Sequence, residues 1–361
     1  VSYILSIETA LPDNCFSQET FTEFYRRSTD DETEQRKISL VSRRSGIGQR
    51  YSVIPDFGAE PGQYEFFEPN RHLFPEPGLE RRMALYRRHA ASLSAKAIRK
   101  IDGFDALKSK ITHLITVTCT GLFAPGNDID LMQQLGLNPS VSRIGINFMG
   151  CNAAIIALKQ ADLICRADPG ALVLVVCVEL CSIHFQKQYS DDYILSNLIF
   201  GDGASAVLLS GMPPADKKPS LKVSRFDSLV ADTGYTDMAW QLSEKGFIMN
   251  LSSYVPTIIK ENIRPMMDAL GLVPDAIRYW AVHPGGKRIL DDVSSALNLQ
   301  TEQVSHSYEV LRHFGNMSSP TVLFVLKTLF EKRSDALTGD NIVAVAFGPG
   351  LSIETMQLQY V

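Results

Sequence analysis

Residues 150–164 read GCNAAIIALKQADLI and residues 315–330 read GNMSSPTVLFVLKTLF. Each opens on a glycine followed by one polar or reactive residue, Cys151 or Asn316, and continues as a run with almost no polar face. A helix that is apolar all round is a buried helix. Two buried helices with the same entry suggest one unit used twice, and their flanks agree. HLITVTCTG (113–121) has a counterpart in RYWAVHPGG (278–286), LMQQLGL (131–137) in VSSALNL (293–299), and ALVLVVCVEL (171–180) in NIVAVAFGPG (341–350). Cys119 precedes Cys151 by 32 residues and His283 precedes Asn316 by 33. Duplication of an α/β half is the economical reading.

The strands themselves, including RIGINFMG (143–150) and ASAVLLSG (204–211), alternate with helical stretches and are near-continuously apolar. That pattern belongs to sheets buried on both faces in a layered α/β fold. The segment ERRMALYRRHAASLSAKAIRKI (80–101) has apolar residues at helical spacing and predicts a packed helix with a basic outer face. SGMPPADKKPS (210–220) breaks the pattern and sets a boundary, giving halves at 1–212 and 213–361.

Of the 361 residues, 45% are hydrophobic and 21% charged, with a net charge of −5. That excludes disorder as a default and leaves no electrostatic footprint for nucleic acid. The start VSYILSIETALPDN lacks a basic flank and a cleavage site, and no segment reaches about 18 apolar residues, so a cytoplasmic enzyme without an integral membrane segment is expected. Six cysteines without a CxxC pair point to reduced thiols, and no metal site is expected, since His306 and His313 have no cysteines nearby.

In the superposed halves, Cys151 matches Asn316 and His283 falls opposite Cys119, so reactive side chains gather where two halves meet. A cysteine at a helix N-terminus is drawn towards the thiolate by unpaired N–H groups, and an adjacent imidazole strengthens this. Cys151 is therefore the expected nucleophile. Cys165 and Cys177, mid-helix and mid-strand, read as small buried hydrophobes. Cys, His and Asn in that order fit a papain-like protease, whose histidine also follows its cysteine by about 130 to 150 residues, or a condensing enzyme. The 150 residues ahead of the cysteine, the missing signal and the duplicated halves oppose the protease.

The stretches ITHLITVTCTGLFAPGNDIDLMQQLGL (111–137), FMGCNAA (148–154), LIFGDGASAVLL (198–209), WAVHPGGKRILD (280–291), HFGNMSSPTVLF (313–324) and AFGPGLSIET (346–355) together resemble the type III polyketide synthases. This is the family of chalcone and stilbene synthases and their bacterial relatives, within the thiolase-like condensing enzymes. Ala346 replaces the first glycine of the family's GFGPG turn. The resemblance implies a five-layered αβαβα homodimer without metal, nicotinamide or flavin. It implies an acyl-carrying Cys151, with His283 and Asn316 as the other catalytic residues and Phe200 as an aromatic gate. Substrates would be malonyl-CoA and an acyl-CoA starter. It places Cys119, Thr120, Ala124, Trp240, Met249 and Ser318 around the substrate, and Lys37, Arg44 and Gly285 near the CoA.

Departures from the plant pattern bear on the substrate. Leu40 stands where another cation is usual, Ala124 where plant enzymes place a methionine that crosses the dimer, Trp240 near a usual glycine, Met249 near a second gating phenylalanine, and Cys119 for a threonine. A fatty acyl starter giving alkylpyrones or alkylresorcinols is expected first, and a malonyl-only synthase with a naphthalene-type product second. A ketoacyl synthase working on carrier protein and a non-catalytic homologue remain as alternatives.

Overall fold

The computed structural model describes residues 1–214, 219–252, 254–332 and 338–361. Part of the 210–220 stretch taken as the boundary, residues 215–218, lies outside them. The first half comprises β1 (Ser2–Ala10), β2 (Asn14–Ser17), α1 (Gln18–Arg27), α2 (Glu32–Arg44), β3 (Gln49–Ser52), α3 (Leu79–Ile98), α4 (Phe104–Leu107), β4 (His113–Thr118), α5 (Asn127–Leu135), β5 (Ser142–Asn147), α6 (Ala153–Ala167), β6 (Leu172–Leu180), α7 (Asp191–Ile199) and β7 (Asp202–Ser210). The second comprises β8 (Leu221–Val230), β9 (Met238–Ser243), β10 (Gly246–Leu251), α8 (Val255–Ala269), β11 (Tyr279–Val282), α9 (Lys287–Leu297), α10 (Thr301–Phe314), α11 (Thr321–Glu331), β12 (Asn341–Gly348) and β13 (Ser352–Tyr360).

Nine strands form one mixed sheet in the order β11-β12-β13-β8-β1-β7-β6-β4-β5. In the first half β4 runs parallel to β6, and β6 to β7 and β7 to β1 are antiparallel. The second half repeats these directions with β11, β12, β13 and β8. The half-sheets join where Ser2, Tyr3 and Ile4 pair with Val223, Lys222 and Leu221. The duplication breaks at the sheet edge, among other places: the first half has the edge strand β5, and the second has α10, entered through a reciprocal Gln300–Gln303 capping box. Capping favours helix there because it satisfies N–H groups a strand would leave to a neighbour.

Alternation along the strands defines the layers. On β6, Leu174, Val176 and Val178 share a core with Tyr86, Ala90 and Leu93 of α3, whereas Val173, Val175 and Cys177 share one with α6 and α11. On β12, Ile342, Ala344 and Ala346 face that same central pair, and Val343, Val345 and Phe347 pack with α8 and α9. The result is helices, sheet, helices, sheet, helices. Sandwiching α6 and α11 between half-sheets is what removes their polar face, each buried Leu, Ile or Val contributing roughly 1.5–3 kcal/mol. Among the described residues the hairpin β9–β10 pairs only with itself, and it packs against α7 and the 349–351 turn.

Candidate active site

Cys151 is buried, two residues ahead of α6, in a turn that needs glycine. Gly150 has φ +88°, and a Cβ there would lie 2.1 Å from Pro349 Cδ. A Cβ on Gly348 would in turn meet Asn152 Oδ1 at 2.4 Å, and Asn152 Nδ2 donates to Ser352 Oγ at 2.8 Å. The Cys151 turn of one half thus dovetails with the GPG turn of the other. Only glycine allows both the left-handed backbone and the close approach.

The thiol points to the second half, its Sγ donating to Ser318 Oγ at 3.5 Å. Asn316 is fixed from several sides. Its Oδ1 accepts from Ser318 N–H at 2.8 Å and Thr321 Oγ1 at 3.4 Å, which orients Nδ2 as the donor towards Gly285 O at 3.3 Å. Its main chain bridges the segment carrying Phe200: Asn316 N donates to Ile199 O and Gly201 N donates to Asn316 O, both at 2.9 Å. His283 directly follows β11, with its N–H on Val345 O and its own carbonyl accepting from Gly285 N–H. Its imidazole is buried and both ring nitrogens lack hydrogen-bond partners among the described residues. The geometry therefore brings Cys151, Ser318 and Asn316 together and joins His283 to Asn316 through Gly285.

Electrostatics correct the expectation of a resting thiolate. Burial pushes the Cys151 thiol up to about 11, against the opposing pull of Ser318 and of Asn316. Burial likewise pushes His283 down to about 3. No hydrogen bond pairs imidazole with thiol to offset that desolvation, so the resting forms are neutral thiol and neutral imidazole.

A narrow cavity opens beside Cys151, with Cys119, Thr120, Phe200, Trp240, Met249 and Ser318 in its wall. Trp240 and Met249 are cross-strand partners in the hairpin, and Trp240 Nε1 donates to Cys119 O at 2.9 Å. Cys119 Sγ accepts from Gly150 N–H at 3.0 Å. Ala124 lies exposed on the 122–125 loop, outside the cavity of its own chain. Lys37 and Arg44 are exposed on α2, Lys37 ion-paired with Asp191 at 3.3 Å, and Leu40 is exposed on the same face.

Three residues at the site carry no motif of their own. Glu179 is fully buried and accepts from Thr118 Oγ1, Cys119 N–H and Thr120 Oγ1 on one side and from Ser319 Oγ at 2.6 Å on the other. It ties the halves together, and burial raises its carboxyl to about 7. Being the only charged residue in ALVLVVCVELC (171–181) is the signal that could have found it. His184 holds Thr120 O at 2.7 Å through Nε2 while Nδ1 accepts from Phe247 N–H, a pairing that sets its tautomer. Arg50 is buried beneath α7, its Nη1 donating to the carbonyls of Asn197 at 2.9 Å and Phe200 at 2.5 Å.

The chalcone and stilbene synthase N-terminal domain model matches residues 1–213 and the C-terminal domain model residues 224–361. Among solved structures, PKS-I from the brown alga Ectocarpus siliculosus is similar at 28% identity, with a TM-score of 0.92 over 100% of this chain and 98% of that one. The C-terminal type III polyketide synthase domain of Steely1, a type I/III hybrid from Dictyostelium, is similar at 26% identity, with a TM-score of 0.89 over 100% and 99%. No helix among the described residues is long and apolar enough to cross a membrane. A duplicated layered fold that closes on one buried cysteine, matched along nearly its whole length by these models, places the chain in the chalcone and stilbene synthase family, the type III polyketide synthases, as a condensing enzyme.

Proposed function

We propose that Cys151, His283 and Asn316 carry out repeated decarboxylative condensation of malonyl-CoA onto an acyl-CoA starter, with no cofactor beyond the CoA thioesters. The observation that carries this reading is the meeting of the Cys151 thiol and the Ser318 hydroxyl in the wall of one apolar cavity, with the oriented Asn316 amide directly behind them. Cys151 Sγ attacks the starter thioester carbonyl; the bond to the CoA sulfur breaks, and CoA leaves as the thiol with the proton. Malonyl-CoA then loses CO2, and the electron pair of the broken C–C bond becomes an enolate on the thioester oxygen. A neutral imidazole has one N–H to donate, and Asn316 Nδ2 supplies a second, so the two can hold that oxygen without giving up a proton. Preorganised donors of this kind supply about 3 kcal/mol each. The enolate carbon attacks the Cys151 acyl carbonyl, a C–C bond forms, and the thiolate leaves. Phe200 would help to keep water from thioester and enolate.

CoA would approach along the Lys37–Arg44 face of α2, which packs beside α7, the helix that ends at Phe200. A second copy of the chain would cover β5, the outermost strand of the sheet, where Leu122 and Met149 are also exposed; a cytoplasmic homodimer is the proposed form. Ala124 is exposed on its own chain and Trp240 fills space beside Cys151, which favours a short starter or a malonyl-only product over a long fatty acyl chain. Incubating the protein with labelled malonyl-CoA and acyl-CoAs of graded length tests both levels. CO2 release with a covalent acyl adduct on Cys151 is expected; absence of both would refute the condensing role, and efficient use of long acyl chains would refute the short starter.

A further inference from the structure

The turns that carry Cys151 and Asn316 part company two residues further on. In the first half Ala153, the counterpart of Ser318, is already the first residue of α6. In the second half α11 begins only at Thr321, and Ser318 has φ +59°. That is left-handed backbone, which glycine enters freely and a residue with a side chain enters at a cost. The conformation is held from both sides. Ser318 N–H donates to Asn316 Oδ1 at 2.8 Å, and the Ser318 carbonyl accepts from Thr321 Oγ1 at 2.8 Å and from Thr321 N–H at 3.1 Å. None of these bonds uses the serine side chain, so glycine could make them all without the strain.

What the side chain adds is a contact with the nucleophile. The hydroxyl is buried in the wall of the cavity and accepts from Cys151 Sγ at 3.5 Å, its only hydrogen-bond partner among the described residues. A hydroxyl can accept or donate. Towards the resting thiol it accepts; once the proton has left, rotation about the C–O bond turns it into a donor to the sulfur anion. A thiolate needs that help here. Burial disfavours it and the carboxyl of Glu179 opposes it, while Ser318 pulls the other way, ahead of Asn316. The His283 imidazole makes no hydrogen bond to the thiol. Strained backbone that the surrounding structure enforces is characteristic of functional sites.

We infer that Ser318 is a positioning residue for the nucleophile, a serine kept in left-handed backbone so that its hydroxyl holds the Cys151 thiolate as it forms. The inference rests on the condensing role proposed above for the use made of that thiolate. A sulfur anion held in this way is reached more easily from the neutral thiol and leaves more easily when the new C–C bond forms.

Ser318→Ala and Ser318→Gly both remove the hydroxyl, but only glycine also relieves the backbone. Alkylation of the free protein by iodoacetamide, followed by peptide mass at Cys151, reads the thiolate without any condensation. It should be about threefold slower in both variants, with the same slope against pH. Losing one hydrogen bond to a charged group removes about tenfold of the thiolate, and the greater nucleophilicity of the less acidic sulfur offsets part of that. In a thermal melt Ser318→Gly should lie about 2 °C above Ser318→Ala. Alkylation of both variants at or above the wild-type rate overturns the role. So does a glycine variant that melts no higher than the alanine variant, because the left-handed backbone would then carry no strain. If the wild-type protein takes no acyl group from hexanoyl-CoA, the condensing role falls, and the alkylation rates still decide what Ser318 does for the thiol.

Discussion

The turns before α6 and α11 are counterparts in the duplicated fold, yet they hold their key residues in opposite ways. Cys151 has one weak side-chain partner, Ser318 at 3.5 Å, and is positioned by the shape of the Gly150–Pro349 contact. Asn316 is held by hydrogen bonds on its amide oxygen, its amide nitrogen and its main chain. A nucleophile must keep its lone pairs free and be aimed by packing, whereas a donor to a developing oxyanion works best when already oriented. One ancestral turn can serve both needs because the difference lies in what surrounds it.

The largest break in this comparison is Cys151→Ala. Acyl transfer to the protein should fall by at least about 10⁴-fold, as for removal of a covalent nucleophile, while malonyl-CoA decarboxylation persists; intact mass and CO2 release measure the two. Next is pH. With the thiol held near 11 by burial and the imidazole neutral, alkylation of the free enzyme by iodoacetamide should rise about tenfold per pH unit from pH 7 to 10. A plateau below pH 8 would mean a thiolate–imidazolium pair after all.

Asn316→Ala should lower malonyl-CoA decarboxylation by about 10²–10³-fold, the loss typical of one oxyanion donor, with acylation of Cys151 reduced by much less. Equal losses in both steps would make Asn316 a scaffold for the cysteine. The smallest expected effect is on stability. Gly150→Ala places a methyl 2.1 Å from Pro349 Cδ at φ +88°, and it should destabilise the fold by roughly 1–3 kcal/mol, seen as a Tm several degrees lower in a thermal melt. An unchanged Tm would show that the turns do not lock.

The layered α/β fold was readable in advance because buried strands and buried helices have local signatures: long apolar runs, glycine entries and a constant spacing between them. So were the glycine-framed turns that hold Cys151, His283 and Asn316. The missing counterpart of β5 was not, since SRIGIN and TEQVSHSYEVLRHF follow similar Leu-rich turns and differ only in capping and length. Glu179 stands in a run that reads as an apolar strand, and Arg50 stands in no motif at all. Each owes its importance to partners far along the chain: Ser319 lies 140 residues from Glu179, and Phe200 lies 150 from Arg50.

Sequence alone determined which reactive groups the glycine-framed turns carry, because a thiol, an imidazole and an amide keep their identity wherever the chain places them. Tertiary structure decided the state in which they wait. Burial without a hydrogen bond between thiol and imidazole leaves both neutral, and the solvation of a group depends on every neighbour around it. It also decided the space beside them, where Trp240 and Met249 of the β9–β10 hairpin close on Cys119 and Cys151. That arrangement depends on contacts between segments that no local pattern links.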